Sequence, residues 1–180
     1  LFYCYMSEFS KVELRRHYQQ LRRQLPLPQA HGMLIQMVHR LSELTWPSGK
    51  WLMSYKASAA RHEISMPYLE DAITEFTRGM QFCYPRTHIA DLSMDAIADD
   101  AHVSWAPSSF GILEPVDGNV VPPEAISLVL VPLLCFDKRG YRVGYGKGFY
   151  DRFLKRCSPH TVTVGFSWFP PVDAIEDIDV

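Results

Sequence analysis

Residues 125–136 read AISLVLVPLLCF, and from Leu128 to Cys135 no side chain is charged or carries an amide. A strand with one wet face alternates polar and apolar residues. This one does not alternate, so both of its faces must be covered. The run is also far short of the ~20 residues a membrane-spanning helix needs. It therefore predicts a strand at the centre of a parallel sheet, with helices packed on either side.

The flanking patterns supply those helices and further strands. SKVELRRHYQQLRRQL (10–25) has a capping box in Ser10 and Glu13 and an apolar stripe at Leu14, Tyr18, Leu21 and Leu25. Lys11, Arg15 and Arg22 are read onto another face. A second helix is expected over 30–45, with Met33, Met37, Leu41 and Leu44 inward, broken by WPSG. KWLMSY (50–55) reads as a buried strand and KASAARHE as a loop. SMPYLEDAITEFTRG (65–79) reads as a helix capped by Ser65, with Pro67 in its first turn, Leu69, Ile73 and Phe76 inward, and Gly79 at its end. Strands are expected at MQFCYP (80–85) and TVTVGFS (161–167), with a meander between 87 and 122. FYDRFLKRC (149–157) begins a helix. Strands alternating with helices give the expected fold class: α/β, one three-layer α/β/α domain over 1–180 with a mostly parallel central sheet, Rossmann-like. In such folds ligands sit beyond the carboxyl ends of the strands.

Composition excludes several functions. The net charge is −2, so no global basic field draws the chain to nucleic acid or an anionic membrane. Cys4, Cys83, Cys135 and Cys157 form no CxxC pair, and the seven histidines form no HExxH. A reduced, cytoplasmic, monomeric protein without a zinc site is the expectation. LFYCYMSEFSK lacks the pattern of a signal peptide, and Met6 is a candidate start, with Leu1 to Tyr5 a leader or remnant.

The stretch FDKRGYRVGYGKGFYDRFL (136–154) follows the central strand directly. Its glycines, Gly140, Gly144, Gly146 and Gly148, satisfy neither GxxxxGK[ST] nor GxGxxG. Closely spaced glycines still free backbone N–H groups to form an anion nest. A helix starting near Phe149 points its positive end at the same place. Arg142 and Lys147 add charge suited to a phosphoryl group, and Asp151 in the helix's first turn can hold magnesium. Composition alone also allows a flexible turn with a solvated basic patch.

GYRVGYGKGFYDRFL (140–154) resembles the signature of the 5-formyltetrahydrofolate cyclo-ligase family, the 5,10-methenyltetrahydrofolate synthetases. Other parts follow in the same order: a basic N-terminal helix with KxxLR, a loop ending in Glu63 before a helix, YPR (84–86) at a strand end, EP (114–115) and an acidic tail. The resemblance spans nearly the whole chain. It implies ATP- and magnesium-dependent closure of 5-formyltetrahydrofolate to the 5,10-methenyl form, with 5-formyltetrahydrofolate and ATP as partners and Mg2+ as cofactor.

Residue by residue, the resemblance implies that Lys11 and Arg15 meet ATP phosphates. Arg142, Val143, Gly144, Tyr145, Gly146, Lys147, Gly148, Phe149 and Tyr150 match the nucleotide-binding loop, of which Tyr145 to Phe149 also touch the folate. Lys147, with Arg142, is the expected stabiliser of the transferring phosphoryl group. Asp151 and Asp177 match metal positions, although Glu176 and Asp179 compete with Asp177. Glu63 and Tyr55 match substrate positions. From residue chemistry, Arg86 is a candidate for phosphate or the folate's glutamate tail, or simply ends a strand. Trp105 and Phe110 either wall the pterin pocket or pack in the core. Two other functions stay open: an ATP-dependent kinase or ligase acting on another small molecule, and a non-catalytic folate- or nucleotide-binding module.

Overall fold

The computed structural model of the chain describes residues 9–176. Helix α1 (Lys11–Gln24) is followed by α2 (Leu27–Leu41), β1 (Trp51–Met53), α3 (Met66–Phe76), β2 (Gln81–His88) and β3 (Ser93–Ala98). Next come β4 (Trp105–Pro107), β5 (Leu113–Pro115), β6 (Val120–Val121), β7 (Ile126–Val131), β8 (Cys135–Phe136), β9 (Arg142–Val143), α4 (Phe149–Leu154) and β10 (Val162–Gly165). Six strands form one sheet in the order β10-β7-β1-β2-β3-β6. The ladders β10–β7, β7–β1 and β1–β2 are parallel, whereas β2–β3 and β3–β6 are antiparallel. The fold is α/β with a mostly parallel central sheet.

β7 is buried on both faces, as its lack of alternation requires. Leu128 and Leu130 pack with Leu52, Leu69, Ile73 and Leu41 under α2 and α3. Val129 and Val131 point the other way and pack with Met53 and Phe153 of α4. Two apolar layers on one sheet make the three-layer arrangement. Burying a Leu or Val side chain contributes about 1.5–3 kcal/mol, so these alternating contacts carry much of the fold.

The structure departs from the sequence reading in several places. The run 125–136 is not one strand: β7 ends at Val131, and Pro132 lacks the N–H that would continue the ladder. Cys135 and Phe136 instead start a hairpin, pairing with Val143 and Arg142. Helix α2 starts at Leu27, with Pro28 in its first turn, and stops at Leu41. Leu44 therefore lies beyond the helix and is 46% exposed. Ser65 stands at the start of α3 but makes no side-chain cap, and Phe76 at its end is 40% exposed. Gly79, with φ +82°, ends that segment as expected.

One buried carboxylate organises the turn between β8 and β9. The Asp137 side chain accepts N–H groups from Arg139 (2.9 Å), Tyr141 (2.9 Å) and Ile175 (3.1 Å), and the Nε of Arg139 at 3.0 Å. The tail is thereby fastened to the hairpin, reinforced by Val172 N–H on the Phe136 carbonyl at 2.9 Å. Burial pushes the Asp137 carboxyl up, but the hydrogen bonds from Ile175, Arg139 and Tyr141 outweigh it and hold it below the ordinary carboxylate range. A carboxyl depressed in the folded state stabilises above its unfolded value of about 3.9, and loses that contribution as pH falls through the folded value. Asp137→Ala is expected to cost roughly 3 kcal/mol at pH 7, because it strands several N–H donors. In urea titrations the gap between wild type and variant narrows as pH drops below about 4; a gap independent of pH would refute this role.

Candidate functional site

The carboxyl ends of β1, β2 and β7 open into a cleft of about 1030 Å³. Tyr55 follows β1, Pro85 and Thr87 lie at the far end of β2, and Pro132 follows β7; all four line it. The rest of the wall comes from α1 and the glycine-rich loop. Eight cationic side chains face three carboxylates there, Glu63, Glu114 and Asp151. In a chain of net charge −2 this is a local concentration of positive charge, which favours an anionic ligand.

Thirteen of the fifteen site residues that the resemblance implies line this cleft: Lys11, Arg15, Tyr55, Glu63, Arg142, Gly144, Tyr145, Gly146, Lys147, Gly148, Phe149, Tyr150 and Asp151. Val143 does not reach it. Its side chain is buried with Leu14 and Leu134, and its carbonyl takes the Leu134 N–H at 2.8 Å, so it anchors the loop from behind. Asp177 and Asp179 lie outside the described residues, and Glu176 is exposed at their edge.

Helix α1 sets where the loop sits. Its capping box is formed in both directions between Ser10 and Glu13, which fixes the first turn and the Lys11–Arg15 face. Leu14 and Tyr18, on the adjoining face, pack against Leu134 and Cys135. Arg15 Nε donates to the Gly144 carbonyl at 3.0 Å. Gly146 has φ +84°, and a Cβ there would stand 3.1 Å from Arg15 Cζ. Only glycine meets both conditions without strain.

The loop's other end is gathered by α4. Gly148 caps that helix with φ +68°. Arg152 reaches back to the Lys147 carbonyl (2.6 Å) and across to that of Leu92 (2.8 Å). Phe149 meets Phe110 edge-on, with ring centres 5.9 Å apart. Arg142 pairs with Asp151, whose side chain is 68% exposed at the rim.

The opposite wall is built for a polar ring system. Tyr55 is buried, and burial together with the Glu63 charge pushes its phenol far up. One Glu63 oxygen takes the Ser58 N–H at 2.7 Å. Burial, and then the Glu63 charge, raise the Tyr145 phenol well above its usual value. Both tyrosines are therefore neutral groups across the physiological range.

Several cleft residues went unnoticed in sequence. Gln19 lies one turn beyond Arg15 on the same helix face, a spacing that marks it. Arg61 covers the Tyr145 ring, its guanidinium carbon 4.8 Å from the centroid. Lys56 sits 3.9 Å from the Tyr84 centroid and 5.1 Å from that of Trp105. Glu114, noted in sequence only as part of the EP pair, accepts both the N–H (2.7 Å) and the hydroxyl of Thr87, tying β5 to β2. The positions of Lys56 and Arg61, in the loop after β1, carry no periodic signal.

One reading changes, and the structure places the residues whose alternatives were open. Arg22 is not on the solvated face: it is buried, four residues beyond Tyr18 on the apolar stripe. Arg86 pairs with Asp95 at 3.2 Å outside the cleft lining. Trp105 packs edge-on against Tyr84 behind the wall, whereas Phe110 does line the cleft.

The described cysteines, Cys83, Cys135 and Cys157, do not line the cleft, and burial raises the Cys135 thiol to about 12. They offer no thiolate to this site. The two glycines of the loop make a controlled comparison. Gly146→Ala is expected to cost about 1–2 kcal/mol from its left-handed backbone and to push Arg15 off the Gly144 carbonyl. Gly144, with open space around its Cα, should accept alanine with little loss. Thermal melts and ATP titration of both variants check this; equal behaviour would refute the role of the Arg15 contact.

Residues 7–167 match the model of the 5-formyltetrahydrofolate cyclo-ligase family. The 5-formyltetrahydrofolate cyclo-ligase of Mus musculus is 37% identical over 93 residues, which are 47% of this chain and 45% of that protein. The enzyme of that name from Mycoplasma genitalium is 36% identical over 52 residues, 29% of this chain and 32% of that one. The matching segments thus span less than half the length of either relative. The NMR structure of Aquifex aeolicus 5,10-methenyltetrahydrofolate synthetase aligns with a TM-score of 0.66 at 27% identity, covering 91% of this chain and 84% of that one. A 5,10-methenyltetrahydrofolate synthetase from Mycoplasma pneumoniae shares the fold, with a TM-score of 0.63 at 22% identity over 87% of this chain and 84% of its own. With the family match running through the helix, the cleft and the glycine-rich loop, the chain belongs to the 5-formyltetrahydrofolate cyclo-ligase family.

Proposed function

We propose that the chain closes 5-formyltetrahydrofolate to 5,10-methenyltetrahydrofolate, converting ATP to ADP and phosphate. One observation carries this reading. A cationic, glycine-rich loop and the Glu63–Tyr55 wall face each other across a single cleft, so two different ligands can meet there. Family membership and the Aquifex aeolicus likeness support the choice of ligands.

The chemistry suits these parts. A formamide oxygen is a poor leaving group. Its attack on the γ-phosphorus releases ADP and leaves an iminium phosphate. N10 then adds to the formyl carbon, loses its proton, and the C–O bond breaks to expel phosphate. No protein nucleophile is required. The protein must hold two substrates in line and neutralise charge as it moves.

In this reading Lys11, Arg15 and the backbone from Arg142 to Tyr150 hold the triphosphate. Lys147 tracks the transferring phosphoryl, assisted by Arg142. Glu63 accepts N–H groups of the pterin, and Tyr55, Phe110 and Phe149 supply apolar wall. Among the described residues no three His, Cys, Asp or Glu side chains cluster as a metal cage. A magnesium ion carried largely by phosphate oxygens and water needs only one or two carboxylates, which Asp151 at the rim satisfies. Such an ion would neutralise phosphate charge, and Asp177 is proposed beside Asp151 from the sequence alone. Among the described residues no helix is long and apolar enough to cross a membrane.

Purified protein mixed with 5-formyltetrahydrofolate, ATP and magnesium should show a rise in methenyl-folate absorbance in the near ultraviolet that depends on ATP. Lys147→Ala is expected to lower kcat by about 100-fold or more, as loss of a group on a developing charge does. Asp151→Ala should raise the magnesium needed for half-maximal rate. ATP binding without any absorbance rise would overturn the folate assignment and favour another acceptor.

A further inference from the structure

Arg152 of α4 makes two hydrogen bonds to two segments far apart in the chain. Its Nε donates to the Leu92 carbonyl at 2.8 Å, in the turn between β2 and β3. Its Nη2 donates to the Lys147 carbonyl at 2.6 Å, in the glycine-rich loop. A Cβ on Gly148 would stand 2.9 Å from its Nη1, so the guanidinium lies directly on the loop's last glycine. Four residues further on, Arg156 Nη1 donates to the Met94 carbonyl at 3.2 Å. Two arginines thus hold two carbonyls at the start of β3. Leu92 itself keeps a left-handed backbone at φ +56°, a conformation that persists only where neighbours fix it.

This turn belongs to the far wall of the cleft. Thr87 pairs with Met94 across the β2–β3 ladder, both line the cleft, and Glu114 holds Thr87. Arg152 therefore spans from that wall to the loop. Lys147 is exposed and stands between Gly146 and Gly148, which have φ +84° and +68°. Glycines on both sides leave its peptide units free to rotate, and a hydrogen bond to its carbonyl removes that freedom. The Nε and Nη2 of Arg152 are spent on carbonyls, so these donors serve the protein and not a ligand's phosphate.

We propose that Arg152 is a positioning residue: by tying the Lys147 carbonyl to the β2–β3 turn, it places the Lys147 side chain for phosphoryl transfer. This rests on the cyclo-ligase reading. The effect falls on kcat, because the groups assigned to hold ATP and the pterin are left in place.

The test measures kcat and both KM values in wild type, Arg152→Lys, Leu92→Pro, Lys147→Ala and the Arg152→Lys/Lys147→Ala double variant, with melting temperatures alongside. Arg152→Lys keeps the charge and loses the fork. Leu92 is not among the cleft-lining residues, and proline cannot hold its φ of +56°, so Leu92→Pro shifts the far anchor without changing a cleft side chain. Each of these two variants is expected to lower kcat about tenfold, the worth of one hydrogen bond from a charged group, with both KM values within about twofold. In the Lys147→Ala background, Arg152→Lys should cost less than about a further twofold, because its effect runs through Lys147. A clamp with a merely structural role would cost the same in either background. Wild-type kcat in Arg152→Lys or Leu92→Pro, an undiminished loss in the Lys147→Ala background, or a rise in ATP KM at unchanged kcat would each overturn the proposal. If wild type does not convert 5-formyltetrahydrofolate, the cyclo-ligase reading falls and takes this role with it. If wild type converts it and Arg152→Lys does so at the same kcat, the role of Arg152 alone falls.

Discussion

The glycine-rich loop cannot hold itself in place. Glycine carries no side chain to pack and loses more conformational freedom on folding than any other residue. Its position has to be imposed by neighbours, and the structure does so with charged side chains acting on backbone carbonyls. Arg15 holds the Gly144 carbonyl, Arg152 holds that of Lys147, and Arg22 holds Tyr145 by its hydroxyl. Asp137 closes the turn that delivers the loop. Two of these contacts, those of Arg15 and Arg152, engage carbonyls of the loop itself, at Gly144 and Lys147.

That arrangement depends on the sheet below it. Parallel strands bring all their carboxyl ends to one edge, so residues far apart in the chain arrive together. Tyr55 comes from the end of β1 and Pro132 from the end of β7, while Glu63 follows a short 3-10 turn at Ala59–Arg61. The antiparallel additions β3 and β6 extend the sheet, and the β4–β5 hairpin, pinned by Glu114 to Thr87, brings Phe110 over Phe149. The cleft is thus one product of sheet topology and of a few polar clamps.

Much of this was legible in the residues. The both-face burial of β7 follows from a run with no alternation. The start of α1 follows from a capping box, because two reciprocal hydrogen bonds define a helix end locally. The expectation of an anionic ligand at the loop comes from glycine spacing and cations, and the family from a long, ordered motif. The end of α2 was harder. Leu44 is apolar and falls at helical spacing, but nothing local marks where packing stops. Arg22 was misread for a related reason. Arginine belongs in water on average, and only the Tyr145 hydroxyl and the Leu133 carbonyl, more than a hundred residues away, make its burial tolerable.

What the sequence by itself determined was local: the central strand, the first helix and its cap, the glycine-rich loop and the family to which they belong. These depend on contacts between residues close in the chain, or on periodicity within one element. What only the tertiary structure decided was which groups meet. Glu63 beside Tyr145, Arg61 on the Tyr145 ring, Lys56 on Tyr84 and Thr87 on Glu114 join segments with no shared pattern. Such pairings are set by how the sheet places its strand ends and by the cost of leaving a buried polar group unpaired, and neither is written at any one position of the chain.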